Sequence, residues 1–290
     1  MSASYDLSLF EELNEEYADR PLVPSPVERT PAGYAERAKG VLDRIQRYVD
    51  VEGDVMELGC GQGWLTATLT SESNARRAIG IDIREGEHWK YHDKPDTAYI
   101  VGDLSRSQLV PPESVDLVIS AVVFEHVHRP LQMLMALHRS LRLEGVAWLY
   151  FNLYRGPKAS HVYRNVYFPW PHLLFTDAVC EAFFKKHHGR PQRFSWVNKL
   201  TAAHYANLAQ NAGFETKLVD LHRTPIDLSL YRRFEDKLGR YPALDLETDF
   251  MTMVLRKVDQ PASVWGLDYL GRQALLDERL LKDEELLEEA

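Results

Sequence analysis

Cysteine, long apolar runs and an excess of positive charge are all scarce in this 290-residue chain. Only Cys60 and Cys180 occur, too few for a disulfide framework, so a reducing, cytoplasmic setting is expected. No apolar run approaches the roughly 20 residues that cross a bilayer, and no membrane contact is expected. The opening Met1-Ser-Ala-Ser-Tyr-Asp6 lacks the basic-then-apolar pattern of a secretory leader. Lys and Arg number 34 against 43 Asp and Glu, a net charge of -9. Nucleic-acid backbones are gripped mainly by clustered cations, yet Arg76-Arg77 and Lys185-Lys186 are short, isolated groups. A small-molecule partner is favoured over RNA or DNA. Nothing in the sequence fixes the oligomeric state, and a homodimer is compatible with it.

What is present is the composition of an ordinary globular protein, 45% hydrophobic and 27% charged. The stretch Val55-Met-Glu-Leu-Gly-Cys-Gly-Gln-Gly-Trp64 organises the rest. Val55, Met56 and Leu58 suit a strand covered on both faces. Gly59, Gly61 and Gly63 allow a tight turn and close approach to a ligand. Glu57 sets a carboxylate at the carboxyl end of the strand, where open α/β sheets bind ligands. A dinucleotide fingerprint would require G-x-G-x-x-G, but the run from Gly61 ends at Thr66. Pyrophosphate also prefers backbone donors with no acid beside them.

Ala78-Ile-Gly-Ile-Asp82 reads as a second strand, and Asp82 falls 19 residues after Gly63. That is close to the offset at which an acid meets a ribose in nucleotide-binding βαβ units. A carboxylate is acceptor-only and suits two ribose hydroxyls. Tyr99–Asp103 and Val115–Val123 read as strands three and four, with Ser120 and Ala121 at the ligand edge. Leu131, Leu134, Leu137 and Leu141 mark a helix, and Gly145–Asn152 a fifth strand. Alternating strands and helices require right-handed crossovers and a mainly parallel sheet. Glu215–Leu221 and Phe250–Lys257 read as strands six and seven, with a helix over Leu228–Leu238 between them.

The glycine turn with its flanking acids, the strand-end Asp103 and the Phe124-Glu-His-Val-His128 run resemble class I methyltransferases, which use S-adenosylmethionine (SAM). The resemblance covers about 54–153. It implies a doubly wound α/β fold with a mainly parallel seven-stranded sheet, and strand seven antiparallel beside strand five. It also implies SAM as cofactor, S-adenosylhomocysteine as product, and a pocket holding Ile83, Gly102, Asp103, Leu104, Ser120 and His126 beside Glu57, the three glycines and Asp82. The expected organisation is an N-terminal helical arm and linker (1–32), a SAM-binding domain (33–258) and an acidic helical tail (259–290). The domain would carry a lid inserted at 154–197 and an insertion at 222–249.

The lid is where an acceptor is expected. Eight of the 23 residues from Trp148 to Trp170 are aromatic, either a wall for a ring or the core of the insertion. A hydroxyl acceptor loses a proton as it is methylated, and histidine titrates in the right range. His161 and His172 are the base candidates. His126 with His128 lacks a recognisable ligand spacing, and no metal is expected. The chain therefore reads as an O-methyltransferase of a small molecule, such as a sugar or natural product. Alternatives are N-methylation, a NAD(P)-dependent oxidoreductase, and a SAM-binding domain without turnover.

Overall fold

The computed structural model describes residues 5–23, 28–92 and 94–259. The helical tail expected from Trp265 lies outside the described residues. The chain forms two compact units. Within the described residues, one takes 28–92, 94–151, 202–220 and 251–259; the other takes 5–23, 152–201 and 221–250.

Seven strands build one sheet: β1 (Glu52–Leu58), β2 (Asn74–Asp82), β3 (Thr97–Val101), β4 (Val115–Ala121), β5 (Leu141–Asn152), β6 (Phe214–Arg223) and β7 (Thr248–Lys257). Their order is β3-β2-β1-β4-β5-β7-β6. β1 pairs in parallel with β2 and β4, β2 with β3, and β4 with β5. The sheet is mostly parallel with one antiparallel hairpin, as expected. β7 lies between β5 and β6.

The two-sided cover of the central strands explains their unbroken apolar runs. Val55, Met56, Leu117, Val118 and Ile119 are each at most 3% exposed. Helix Pro31–Ile45 begins on a proline and is capped by Thr30, whose Oγ1 accepts from Gly33 N at 3.1 Å. Its Ala38, Leu42 and Ile45 pack with Leu65 and Leu69 of helix Trp64–Glu72 over β1. That second helix starts at Trp64 because Gly63, at φ 82°, is left-handed and cannot continue the helix backward. β5 begins at Leu141, earlier than the apolar pattern shows, and carries Glu144 at φ 65° within it.

The other unit has its own core. Phe10 lies 5.1 Å from Phe168, 5.0 Å from Phe175 and 4.8 Å from Phe183 between ring centroids. Trp170 is buried, and its Nε1 donates to the Leu246 carbonyl at 3.2 Å. Residues from the arm, the 154–197 segment and the 222–249 insertion thus share one apolar cluster. Helix Leu7–Glu16 is capped by Asp6, which accepts from Leu9 N at 3.1 Å. The single helix expected over Leu228–Leu238 is two, Leu228–Arg233 and Glu235–Leu238. Phe234 breaks it by leaving helical geometry while its ring is fully buried. Burial of one ring outweighs the local hydrogen-bond pattern there.

Candidate active site

β1 ends at Leu58, and the chain turns through Gly59, Gly61 and Gly63 at φ 77°, 51° and 82°. Two of the three glycines answer a close neighbour, and Gly61 answers its backbone angle alone. A Cβ on Gly59 would lie 2.1 Å from Val123 Cγ2, and one on Gly63 would lie 2.7 Å from the Tyr99 ring, whereas Gly61 faces nothing within 4 Å. The turn is pinned to β2, where Gly59 N and Cys60 N both donate to the Ile81 carbonyl, at 2.7 and 3.2 Å. It is also braced by aromatics. Trp89 Nε1 donates to the Gly61 carbonyl at 2.9 Å, and Tyr99 Oη to the Gly63 carbonyl at 3.0 Å. These two rings stack at 4.9 Å.

Asp82 at the end of β2 accepts from Gly61 N at 2.8 Å through Oδ2 and from Arg84 N at 3.1 Å through Oδ1. Each oxygen keeps a second lone pair for a ligand hydroxyl. Asp103, just beyond β3, accepts from Ser105 N at 2.9 Å and Ser105 Oγ at 2.6 Å, and pairs with Arg106 at 3.0 Å.

A cavity of about 370 Å³ opens along this carboxyl edge. Of the sequence candidates, Gly59, Asp82 and Ile83 line it, as do Gly102, Asp103, Leu104 and His126. Glu57, Gly61, Gly63 and Ser120 stand outside its lining. Glu57 is 5% exposed and accepts from Thr66 Oγ1 at 2.5 Å. Burial, with the nearby Asp82 charge adding, pushes its carboxyl up to about 7. Ser120 is buried and donates to the Leu58 carbonyl at 3.3 Å, tying β4 to β1.

The sequence reading missed the apolar wall of Val122, Val123, Val127 and Met133. Val122 has φ 61°, which β-branched residues rarely adopt, and its N–H donates to the Tyr150 carbonyl at 2.6 Å. The residue runs on from the apolar strand, and no pattern marks its backbone as turned. The aromatic concentration resolves toward packing. Trp148 and Phe151 are fully buried in the sheet unit, and Phe168 and Trp170 in the core of the other.

The cavity fits an adenosyl group on its own residues. An acceptor-only carboxylate stands at its wall, Ile83 beside it is 67% exposed and bare for a flat ring, and Gly59 in its lining admits no Cβ unless Val123 moves. Its volume is within the range of small-ligand sites.

The two histidines lie in the second unit and differ sharply. His172 Nε2 donates to the Tyr154 carbonyl at 2.6 Å, while Nδ1 is shut from solvent without a partner. Burial pushes this imidazole down to about 4. His161 is half-buried at φ 56°, with Nε2 3.1 Å from Asn152 Oδ1.

The seven-stranded, mostly parallel sheet in the order β3-β2-β1-β4-β5-β7-β6 is the fold of class I methyltransferases. Residues 56–149, about a third of the chain, match the family model described as a methyltransferase domain. It is 26% identical over 130 residues to the malonyl-[acyl-carrier protein] O-methyltransferase of Paenibacillus sp. (strain JDR-2), covering 42% of this chain and 46% of that protein. It is 28% identical over 150 residues to an uncharacterized methyltransferase of Mycolicibacterium paratuberculosis, covering 50% and 55%. The chain thus spans about half the length of these curated relatives. Among solved structures, a proposed SAM-dependent methyltransferase of Listeria monocytogenes superposes with TM-score 0.51 at 15% identity, over 77% of this chain and 99% of that one. A proposed sarcosine dimethylglycine methyltransferase of Galdieria sulphuraria gives 0.50 at 13%, over 83% and 93%. At such identities the two structures speak to fold alone.

Proposed function

We propose that the chain methylates a hydroxyl of a small molecule, with Asp82, Gly59 and Asp103 holding the cofactor and His161 taking the proton. The observation that carries this reading is the cavity at the carboxyl edge, walled by Asp82 and floored by Gly59. SAM, when bound, supplies an electrophilic methyl carbon. The acceptor oxygen bonds that carbon while its proton passes to the base, with S-adenosylhomocysteine as the second product. Between the two candidate bases, His161 is favoured. His172 is too weak a base near neutrality, and its remaining nitrogen is sealed. Oxygen is favoured over nitrogen because an amine needs less help from a base, and because the Paenibacillus relative is named an O-methyltransferase. The net charge of -9 supports a small acceptor over RNA.

Calorimetry with S-adenosylhomocysteine tests the cofactor half. Asp82→Ala should weaken binding ~10–100-fold, the worth of hydrogen bonds to a charged group. Wild-type affinity in that variant would overturn the assignment. For the acceptor half, a panel of hydroxyl and amine compounds, sugars and natural products included, is screened for S-adenosylhomocysteine release. His161→Gln should then lose ~10²–10⁴-fold in kcat, and His172→Gln much less. Turnover restricted to amines would sink the oxygen reading.

A further inference from the structure

Gly61 is the residue of the glycine turn that packing does not hold. A Cβ there would meet nothing within 4 Å, so no neighbour fixes its left-handed backbone at φ 51°. Glycine also has more conformational freedom to lose than any other residue. Two hydrogen bonds do the holding instead. The Gly61 N–H donates to Asp82 Oδ2 at 2.8 Å, and the Gly61 carbonyl accepts from Trp89 Nε1 at 2.9 Å. These groups lie in the peptide planes on either side of the residue, so together they set its two free torsions.

Trp89 is itself firmly placed. It is 8% exposed, and its ring stacks on Tyr99. The segment that carries it approaches the turn so closely that a Cβ on Gly86 would stand 2.4 Å from the Gly61 carbonyl oxygen and 2.3 Å from Trp89 Nε1. His88 adds two ties. Its N–H donates to Gln62 Oε1 at 3.2 Å, and its Nδ1 accepts from Trp64 Nε1 at 2.9 Å. Residues 86–89 therefore hold 61–64 at successive points. The far side of Gly61 is the ribose-type acid. Rotation of Gly61 would withdraw its N–H and release one oxygen of the Asp82 carboxylate. A carboxylate already held in the free protein need not be ordered when a ligand arrives, and that saving appears as affinity.

We propose that Trp89, which stands outside the cavity lining, is a positioning residue for the cofactor: through Gly61 it keeps Asp82 in the orientation that receives the ribose hydroxyls. The proposal rests on the reading of the cavity as the cofactor site.

Trp89→Phe keeps a ring to stack on Tyr99 and removes the indole N–H. Calorimetry with S-adenosylhomocysteine is run on wild type, Trp89→Phe, Asp82→Ala and the double variant, with each fold followed by circular dichroism. Trp89→Phe should weaken binding by roughly two- to tenfold, the worth of one hydrogen bond. In the Asp82→Ala background the same change should cost less than about twofold, because the carboxylate that it positions is gone. A purely structural Trp89 would lower the melting temperature and leave the affinity of the folded protein unchanged. Unchanged affinity in a folded Trp89→Phe protein, or an equal loss in both backgrounds, overturns the proposal. Should a variant not fold, the hydrogen-exchange rate of the Trp89 indole N–H in wild type decides, the signal being identified by its contacts with the Tyr99 ring. Saturation with S-adenosylhomocysteine should slow that exchange at least about twofold, since coupling between ligand and hydrogen bond is reciprocal; an unchanged rate overturns the proposal. Asp82→Ala binding as tightly as wild type would overturn the reading of the cavity, whereas a weakened Asp82→Ala beside an unaffected Trp89→Phe overturns this proposal alone.

Discussion

Glu57 should make the protein less stable as pH rises, against the usual direction for a carboxylate. Its folded-state value is about 7 against an ordinary 4.5, and burial is the leading cause. Below 4.5 the side chain is protonated in both folded and unfolded states. Between 4.5 and 7 the unfolded chain ionises while the folded one keeps its proton, so stability falls with pH; above 7 the full loss is reached. At ~1.4 kcal/mol for each tenfold change in proton affinity, that loss amounts to about 3 kcal/mol. Glu57→Gln abolishes the titration while offering Thr66 an oxygen in the same place. Any constant cost of the amide cancels when only the pH dependence is compared. Urea unfolding of both proteins between pH 4.5 and 8 is the assay. The stability of wild type relative to the variant should drop by about 3 kcal/mol across that range. Parallel curves would refute the argument and show that Glu57 is solvated or charge-paired in the folded state.

Other substitutions probe separate parts of the sheet unit. Gly59→Ala should weaken S-adenosylhomocysteine at least ~10-fold in calorimetry, since the new Cβ would force Val123, a cavity wall, to move. Val122→Gly should raise stability by ~1 kcal/mol, because release of the left-handed backbone outweighs the added freedom of glycine in the unfolded chain; a fall in melting temperature would show that the valine side chain matters more. Asp54 accepts from Arg76 at 2.6 Å, Arg77 at 2.8 Å and Arg142 at 3.0 Å, and these guanidinium groups hold its carboxyl far below the usual range. Asp54→Asn should cost ~1.5–3 kcal/mol at pH 7 in denaturant unfolding. A depressed value contributes its full stability above the ordinary 3.8 and loses it progressively as pH falls from there toward the lower folded-state value, so that cost should shrink below 3.8.

Strand positions were legible because burial on both faces leaves unbroken apolar runs, as in Val55–Leu58 and Leu117–Ile119. Asp82 was legible for the same reason: a carboxylate ending such a run is conspicuous. The glycines were visible, but the reasons for Gly59 and Gly63 were not, since Val123, just past β4, and Tyr99 of β3 approach from positions far away in sequence. Glu57 looked like a cavity acid and lies outside the lining, because Thr66, nine positions on, satisfies it from the following helix. The aromatic run could not be assigned from composition, as rings in a core and rings in a wall are the same letters. Trp89 carries no local signal either. Its bond to Gly61 spans 28 positions and exists only once its segment lies against the glycine turn.

The strand order bears on how the chain can be made. β7 is the last-synthesised strand described here, yet it occupies an inner place between β5 and β6. Until residues 248–257 have left the ribosome, β6 has no neighbour in the sheet and β5 presents an open edge. Fragments ending near 150, at the limit of the matched domain, should therefore expose a pairing surface and aggregate. Nascent chains face the same exposure during translation. A demand for chaperones in late synthesis follows from one strand's place in the sheet.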